Sequence, residues 1–231
     1  VATARDYGDL GEGRTALDLG CGTGMLTMGC AVVECDFVIG VDCDRDAIAV
    51  ARSNSEELEL EDRVDFILAK VKISSQPSRE HPKPKGGRGG RGRSRKIQAP
   101  KAALILDDDD GIPLRDNCVD TVVTNPPFGT KQNAGMDVRF LKTATRLASR
   151  AVYSFHKTST RDYLVKTIES WGHEVQVIAE MKFDVPNMYE FHTKKSVDID
   201  VDLIRITIRR LATQSPGSDE FAESDDENKI P

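Results

Sequence analysis

The sequence lacks the features that would place it in a membrane, outside the cell or around a metal. It contains no apolar stretch close to the ~18 residues that span a bilayer, and no signal peptide opens it. Its five cysteines form no Cys-x-x-Cys pair and no Cys/His cluster with zinc spacing. We therefore expect a soluble intracellular protein without a metal site. We interpret its reduced thiols as small buried apolar groups; they are Cys21, Cys30, Cys35, Cys43 and Cys118.

Charge is unevenly distributed along the chain. The formal net charge is −6, which by itself argues against nucleic-acid binding. However, residues 79–101 form a dense run of lysine and arginine, whereas residues 107–110 and 218–227 are acidic. Because local charge matters more than the sum for an RNA surface, RNA remains a possible partner.

Apolar periodicity predicts an α/β fold in which strands alternate with helices, which indicates a mostly parallel, doubly wound sheet. The last two strands are joined without a helix, so we expect them to pair antiparallel. The predicted strands are 15–19, 37–42, Val64 to Ala69, 119–124, 151–155, 174–181 and 199–209. The predicted helices are 24–34, 46–58, 137–149 and 160–171.

Two segments have compositions that do not support a packed core. Residues 72–103 are rich in Arg, Gly, Pro and Lys, and residues 214–231 are rich in Ser, Asp and Glu. Such stretches bury too little apolar surface to offset the entropy of ordering. We therefore predict one domain over 1–213, interrupted by a disordered basic insertion at 72–103 and followed by a disordered acidic tail.

A glycine-rich turn follows the first predicted strand. In the stretch Ala16-Leu-Asp-Leu-Gly-Cys-Gly-Thr-Gly24, Asp18 leads into Gly20, Gly22 and Gly24 and then into a helix. Glycines at this spacing let the backbone turn sharply and approach a ligand. The spacing differs from the dinucleotide motif and resembles the cofactor loop of class I methyltransferases. That resemblance implies S-adenosylmethionine as cofactor, with Asp18 near its ammonium group.

Acidic residues after the next strands are candidates for the nucleoside part of the cofactor. Asp42 ends the second strand, where a carboxylate can bind both ribose hydroxyls. Alternatively, it only begins a turn in which Asp44 caps the next helix. After the third strand, Lys70 stands where an acid normally binds the adenine amine, and lysine accepts no hydrogen bond. The run 107–110, with Asp108 as the candidate, either replaces that contact or is a solvated charge run.

The fourth predicted strand runs into Asn125, Pro126, Pro127 and Phe128. The prolines remove two backbone donors and stiffen the turn. An amine nucleophile has two N–H donors, which the Asn125 side-chain oxygen and the Pro126 carbonyl can accept. Phe128 offers a ring for stacking an extruded base. The turn resembles the Asn-Pro-Pro-aromatic signature of amino-methyltransferases, which act on adenine N6, on other base amines and on protein glutamine; a rigid structural turn is the alternative.

Three longer motifs resemble the methyltransferase-like protein 5 family. They are the turn Asn125-Pro-Pro-Phe-Gly-Thr-Lys131, the stretch Ala151-Val-Tyr-Ser-Phe-His-Lys157 with Ser159-Thr-Arg161, and His192-Thr-Lys-Lys-Ser-Val-Asp-Ile-Asp-Val-Asp-Leu-Ile-Arg205. The resemblance implies a Rossmann-like class I methyltransferase with strand order 3-2-1-4-5-7-6. It also implies formation of N6-methyladenosine in small-subunit (18S) ribosomal RNA, with the chemistry at residues 125–128.

The resemblance also implies partners. Five cationic residues in loops beside strands are candidates for contacts with RNA phosphates, with an ordinary surface charge as the alternative for each: His156, Lys157, Arg161, Lys194 and Lys195. The family pairs with a small zinc-binding activator subunit, which we expect to add a strand along the edge from Val64 to Ala69. A monomer whose edge is shielded by the insertion is the alternative. We expect such an enzyme in the nucleus and cytoplasm.

Two departures leave other functions open. The chain begins with Val1, and the family has further N-terminal residues before the first strand, so we expect that a segment is missing. Lys70 also weakens the expected cofactor site. A protein glutamine methyltransferase and a non-catalytic RNA-binding or assembly protein are therefore the alternatives to an RNA adenine methyltransferase.

Overall fold

The computed structural model describes residues 1–72, 110–127, 135–186 and 196–209, which form a seven-stranded sheet with helices on both faces. The strands are β1 (Thr15–Leu19), β2 (Phe37–Asp42), β3 (Val64–Leu68), β4 (Val119–Thr124), β5 (Ala148–Lys157), β6 (Glu174–Pro186) and β7 (Ser196–Thr207). The helices are α1 (Ala2–Asp6), α2 (Met25–Val32), α3 (Arg45–Glu57), α4 (Met136–Leu147) and α5 (Arg161–Ser170), and a 3₁₀ turn covers Thr158–Thr160.

The order of the strands is β3-β2-β1-β4-β5-β7-β6, as predicted. The first five are parallel, whereas β7 pairs antiparallel with both β5 and β6. The α/β class and the Rossmann-like topology are thus confirmed. The strands after β1 are added on one side of it, up to β3, and those from β4 onward are added on the other side. The carboxyl ends of β1 and β4 therefore border the crevice in which open α/β sheets bind ligands.

Most element boundaries agree with the sequence predictions to within three residues, and the largest difference is in β6, which we predicted to end at 181 and which extends to Pro186. The helix predicted over 137–149 ends at Leu147, because β5 begins at Ala148 without a connecting loop. Strand β5 also extends to Lys157, where we predicted an end at 155. Helix α1 was not predicted, because its five residues are too short for an apolar period.

Alternation along the strands divides the core between the two faces of the sheet. Leu17, Leu19 and Val122 point to one face and pack with α4 and α5. Ala16 and Val38 point to the other face and pack with α1, α2 and α3. Both layers exclude water from the sheet, which leaves its carboxyl edge as the place where loops can present polar groups.

A polar network fastens the N-terminal segment to the sheet. The Asp9 carboxylate, which is buried, accepts hydrogen bonds from Tyr153 on β5 and from Arg205 on β7, at 2.7 and 2.8 Å. The Arg205 guanidinium also lies over the ring of Tyr7 at 4.7 Å, and the Thr121 hydroxyl donates to the Asp9 carbonyl. These contacts join the first residues of the chain to three strands.

The connection after β3 is closed at its base. The Lys72 amide donates to the Asp110 carbonyl at 2.8 Å, and Arg139 on α4 donates to the Lys72 carbonyl. The Asp110 carboxylate forms two hydrogen bonds with Arg146, also on α4, at 2.8 and 2.9 Å. We refer to these four residues as the clasp. Apart from Lys72, the predicted insertion 72–103 lies outside the described residues, as does the tail 214–231.

The cysteines partly follow their interpretation as buried apolar groups. All five are free thiols; Cys21, Cys30 and Cys35 are buried, Cys118 is half-buried and Cys43 is exposed. The described ranges contain no cluster of metal-binding side chains. None of the helices in those ranges is both long and apolar enough to cross a membrane.

Candidate active site

A cavity of about 300 Å³ opens at the carboxyl ends of β1, β2 and β4. It brings together two motifs that lie about a hundred residues apart in the sequence. Gly20 and Asp42 line it on the side of the glycine loop, and Asn125 and Pro127 line it on the side of the proline turn. Phe140 of α4 also lines it, a contribution that the sequence analysis missed. Gly20 has φ 81°, a conformation that side chains rarely adopt, and a Cβ there would lie 3.1 Å from the Phe140 ring, so both observations favour glycine.

The side chain of Asp18, on β1, connects the two ends of the glycine loop by binding the first turn of helix α2. The helix begins after Gly24, which has φ 88° and no side chain to cap it. Oδ2 of Asp18 accepts instead from the Thr27 amide and the Thr27 hydroxyl, at 2.9 and 2.8 Å. These bonds satisfy an amide in the first turn of α2, as an N-cap side chain would.

One oxygen of Asp18 has no partner of its own. Asp18 is 1% exposed, and within the described residues its Oδ1 accepts no hydrogen bond. Burial raises the pKa of this carboxyl to about 7, against the two hydrogen bonds from Thr27, and the nearby charge of Asp42 raises it further. A buried carboxylate with an orphaned oxygen is suited to a nearby cationic group. Asp18 does not itself line the cavity, so its proximity to an ammonium stays a prediction.

Asp42 holds the other side of the loop. Its Oδ2 accepts from the Gly22 amide at 2.8 Å, and its Oδ1 accepts from the Asp44 amide at 2.9 Å. Asp44 in turn caps α3 by accepting from Asp46 and Ala47. The turn-forming role that we left open for Asp42 is therefore present. The role is compatible with ribose binding, because Asp42 lines the cavity and a carboxylate has about four acceptor positions.

The structure gives a structural role to the end of the acidic run 107–110. Asp110 is 6% exposed and bound to Arg146, so it is neither solvated nor free to bind adenine. Although burial opposes ionisation, the hydrogen bonds from Arg146 and Ile112 hold the pKa of Asp110 below its usual value. Asp108 lies outside the described residues. Ala69 and Val71 line the cavity on either side of Lys70, which is itself exposed.

The proline turn is anchored to the cofactor side of the sheet. The hydroxyl of Thr124, the last residue of β4, donates to the Leu19 carbonyl at the end of β1, at 2.6 Å. The next residue, Asn125, is exposed, and Pro126 behind it is buried. Asn125 thus lines the cavity between a strand end that is bonded to β1 and a buried proline. Phe128 lies outside the described residues.

The three described RNA-contact candidates do not lie in loops as we expected. His156 and Lys157 lie within β5, and Arg161 begins α5. His156 is 3% exposed, and burial lowers its pKa to about 4 against the raising effect of Asp137 and Asp202, so its ring is neutral at pH 7. The expectation of a cationic loop residue is therefore corrected for His156.

Arg161 is engaged by protein carboxylates. It forms two hydrogen bonds of 2.7 Å to Asp202 on β7 and an ion pair of 2.9 Å to Glu180 on β6. Asp202 also accepts from the Thr158 hydroxyl at 2.7 Å. An RNA phosphate would have to compete with these partners. Lys194 and Lys195 lie outside the described residues, and phosphate binding by any of these side chains stays a prediction.

Comparison with known proteins identifies methyltransferases as relatives of this chain. A family model described as a methyltransferase domain matches residues 10–76, which include the glycine loop. The rRNA N(6)-adenosine-methyltransferase METTL5 of Danio rerio is 39% identical over 197 residues, which cover 85% of this chain and 76% of that protein. The corresponding protein of Drosophila melanogaster is 38% identical, covering 85% and 75%.

A solved structure agrees with these relatives. The crystal structure of a proposed RNA methyltransferase from Pyrococcus horikoshii superimposes with a TM-score of 0.62 at 25% identity, covering 90% of this chain and 80% of that one. The fold, the glycine loop and the methyltransferase-domain match identify S-adenosylmethionine as the cofactor. The chain belongs to the rRNA N(6)-adenosine-methyltransferase METTL5 family.

Proposed function

We propose that this protein transfers the methyl group of S-adenosylmethionine to N6 of an adenosine in small-subunit (18S) ribosomal RNA. The observation that supports this most directly is the shared cavity, which brings the glycine loop and Asn125 to one place. The relatives described as rRNA N(6)-adenosine-methyltransferases support the RNA substrate.

The chain's own residues supply binding and orientation. Bound S-adenosylmethionine supplies an electrophilic methyl group on a positively charged sulfur. Asp18 and Asp42 hold the glycine loop and put negative charge beside the cavity. These carboxylates fit a cationic cofactor, because neither has an ion-pair partner among the residues that the structure describes.

The proline turn orients the nucleophile. The Asn125 side-chain oxygen and the Pro126 carbonyl accept the two N–H groups of the target amine, and the lone pair of the amine then points at the methyl group. Positive charge develops on nitrogen during transfer, and fixed acceptor dipoles stabilise it. No strong base is needed, because the methylated amine is acidic enough to lose its proton to water. A flipped adenine stacked on Phe128 completes the proposal.

The test is methyl transfer from labelled S-adenosylmethionine to total RNA, with digested nucleosides resolved afterwards. We expect label in N6-methyladenosine of small-subunit rRNA. We expect the variant Asn125→Ala to lose about 10²- to 10³-fold in kcat, because it lacks one acceptor for the developing charge. Its affinity for S-adenosylmethionine, measured by calorimetry, should stay near that of the wild type.

Other outcomes of this assay would identify the alternatives. Label in protein glutamine rather than RNA would indicate a protein methyltransferase. An absence of label, when the cofactor binds and the activator is present, would overturn the proposal in favour of a non-catalytic RNA-binding protein.

We also propose that a small zinc-binding activator docks on β3, the edge strand of the sheet. Leu68 is 46% exposed there, whereas Phe66 is buried and serves the core. The edge is partly covered: the Phe66 amide donates to the Asp65 carboxylate and the Phe66 carbonyl accepts from Arg52, at 2.7 and 2.9 Å. A docking strand would take over these two backbone groups.

Leu68→Asp is the variant that tests this docking. It should reduce co-purification with the activator at least about tenfold, since a charge would be buried in the new interface. Tyr163→Asp is the matched control, because Tyr163 is 53% exposed on α5, which packs against β6 at the opposite edge of the sheet. Equal recovery of the activator by both variants would remove β3 as the docking site.

A further inference from the structure

A row of buried polar side chains crosses the sheet beside the proline turn. Ser154 and His156 on β5 and Asp202 on β7 are 0%, 3% and 1% exposed. Oγ of Ser154 lies 2.7 Å from Nε2 of His156. His156 and Asp202 are direct partners across the β5–β7 pair. We call Ser154, His156 and Asp202 the polar row.

The neighbouring positions show that the sheet does not need polar groups here. Val152, two residues before Ser154, is fully buried, and so is Ile206 on β7; Ile204 is 3% exposed. These apolar side chains belong to the core that packs with α4 and α5. Burying a hydroxyl and an imidazole in place of such groups costs free energy. Their mutual hydrogen bond compensates for this cost but adds little net stability. The change from apolar to polar occurs at the carboxyl edge of the sheet, where the active site lies.

The register between β4 and β5 places the polar row next to the turn. Ser154 pairs with Thr124, which immediately precedes Asn125. Thr124 is itself bonded to the Leu19 carbonyl on its other side. The end of β4 is thus held between β1, which leads into the cofactor loop, and the Ser154–His156 pair.

Two carboxylates act on His156 from the elements packed against it. Asp137 in the first turn of α4 and Asp202 on β7 face it, and Arg161 of α5 neutralises Asp202. Burial lowers the pKa of the imidazole and keeps the ring neutral, although both carboxylates favour its protonated form. A neutral ring can donate one hydrogen bond and accept another, which suits a fixed polar contact rather than a phosphate contact.

We propose that Ser154 and His156 are positioning residues for methyl transfer: their hydrogen bond fixes the end of β5, and through the pairing with Thr124 it fixes the position of Asn125. This inference rests on the proposed function and assigns to His156 a role different from the RNA contact that the sequence suggested. Neither residue contacts the substrate. Their effect is on the geometry of the turn, where a displacement of about 1 Å can cost about 10²-fold in rate.

The test is steady-state kinetics on Ser154→Ala, His156→Phe and His156→Gln, assayed with RNA and the activator under conditions in which the wild type is active. We expect kcat to fall about 10- to 100-fold in Ser154→Ala and His156→Phe. The KM for RNA and the Kd for S-adenosylmethionine should stay within about twofold, because no ligand contact is lost. His156→Gln, whose amide can reach Ser154, should recover part of kcat.

His173→Phe is the matched control. His173 precedes β6, where its Nδ1 accepts from the Arg209 amide, and the variant should keep the wild-type kcat. A wild-type kcat in Ser154→Ala, which removes only one buried oxygen, would overturn the inference even if His156→Phe does not fold. A raised KM for RNA together with a salt dependence reduced by about one unit would instead identify His156 as a phosphate contact and also overturn it. If the wild type itself failed to methylate RNA, that result would contradict the proposed function.

Discussion

The two halves of the carboxyl edge of the sheet balance their charges differently. In the half made by β1 and β2, Asp18 and Asp42 bond only to amides and a hydroxyl, and one oxygen of Asp18 has no partner in the described part of the chain. In the half made by β5 and β7, the buried carboxylate of Asp202 is neutralised by Arg161, and His156 is kept neutral by burial.

The difference indicates which half expects a charged ligand. S-adenosylmethionine carries an ammonium and a sulfonium group, so the negative charge left on the β1–β2 side is balanced only when the cofactor is bound. An adenosine amine is neutral before transfer, and the buried groups described on the β5–β7 side, Asp202 and His156, carry no unbalanced charge. In the proposed function, the described charges of the substrate side are balanced within the protein, whereas those of the cofactor side are balanced by the bound cofactor.

Among the changes that test this difference between the two halves, Asp18→Asn should have the largest effect on the free energy of unfolding. The folded-state pKa of Asp18, about 7, lies above its ordinary value of 3.8. The contribution of Asp18 to stability is therefore full below about pH 4 and is lost as the pH rises through 7. Between pH 4 and pH 8 the cofactor-free wild type should lose, relative to Asp18→Asn, stability on the order of 4 kcal/mol. Denaturant unfolding at a series of pH values measures this.

Two further measurements sharpen the Asp18 prediction. Asp36→Asn is the control, because Asp36 also accepts one backbone amide, from Gly13, but lies exposed at the opposite end of the sheet. Saturating S-adenosylmethionine should shrink the pH-dependent loss, since a cation beside Asp18 favours its ionised form. Parallel pH curves for wild type and Asp18→Asn would show that Asp18 is already ionised and compensated in the free protein.

His156 should give a smaller effect of opposite sign. Its folded-state pKa, about 4, lies below the ordinary 6.5. Its contribution to stability is present above pH 6.5 and is lost as the pH falls from 6.5 toward 4. Over that window the wild type should lose stability on the order of 3 kcal/mol relative to His156→Phe, measured by the same unfolding experiments. An equal slope in both proteins would mean that His156 takes up a proton as readily in the folded state as in the unfolded chain.

The parallel part of the fold could be predicted from the sequence because local signals determine it. Apolar runs such as Thr15–Leu19 and Phe37–Asp42 predicted the strands, whereas the order of the sheet and the cofactor followed from the resemblance to class I methyltransferases. The pairing of the glycine loop with Asn125 followed from topology, because parallel strands end at the same edge.

Contacts between distant residues account for what the sequence did not predict. Asp110 belongs to a run of four aspartates, and only its pairing with Arg146 distinguishes it from a solvated charge. His156 precedes Lys157 in a stretch that resembles a basic loop. Its burial follows from the extension of β5, which depends on pairing with β7, some fifty residues later.

Asp18 shows that a motif can suggest a cofactor role for a residue while its role in the local structure is missed. The prediction put it beside the glycine loop, and there it also supplies the cap that Gly24 cannot give to α2. Thr27, its partner in the first turn of that helix, carried the signal that could have shown this.

The clasp has a consequence for how the chain can be altered. Residues 73–109 leave and rejoin the domain at Lys72 and Asp110, which share a backbone hydrogen bond. The separation that the connection must span is therefore independent of its length, and doubling the length costs only roughly 0.6 kcal/mol in loop closure. The connection is thus a graft point, where a reporter peptide or a shortened linker can be exchanged while Arg139 and Arg146 keep its two ends in place.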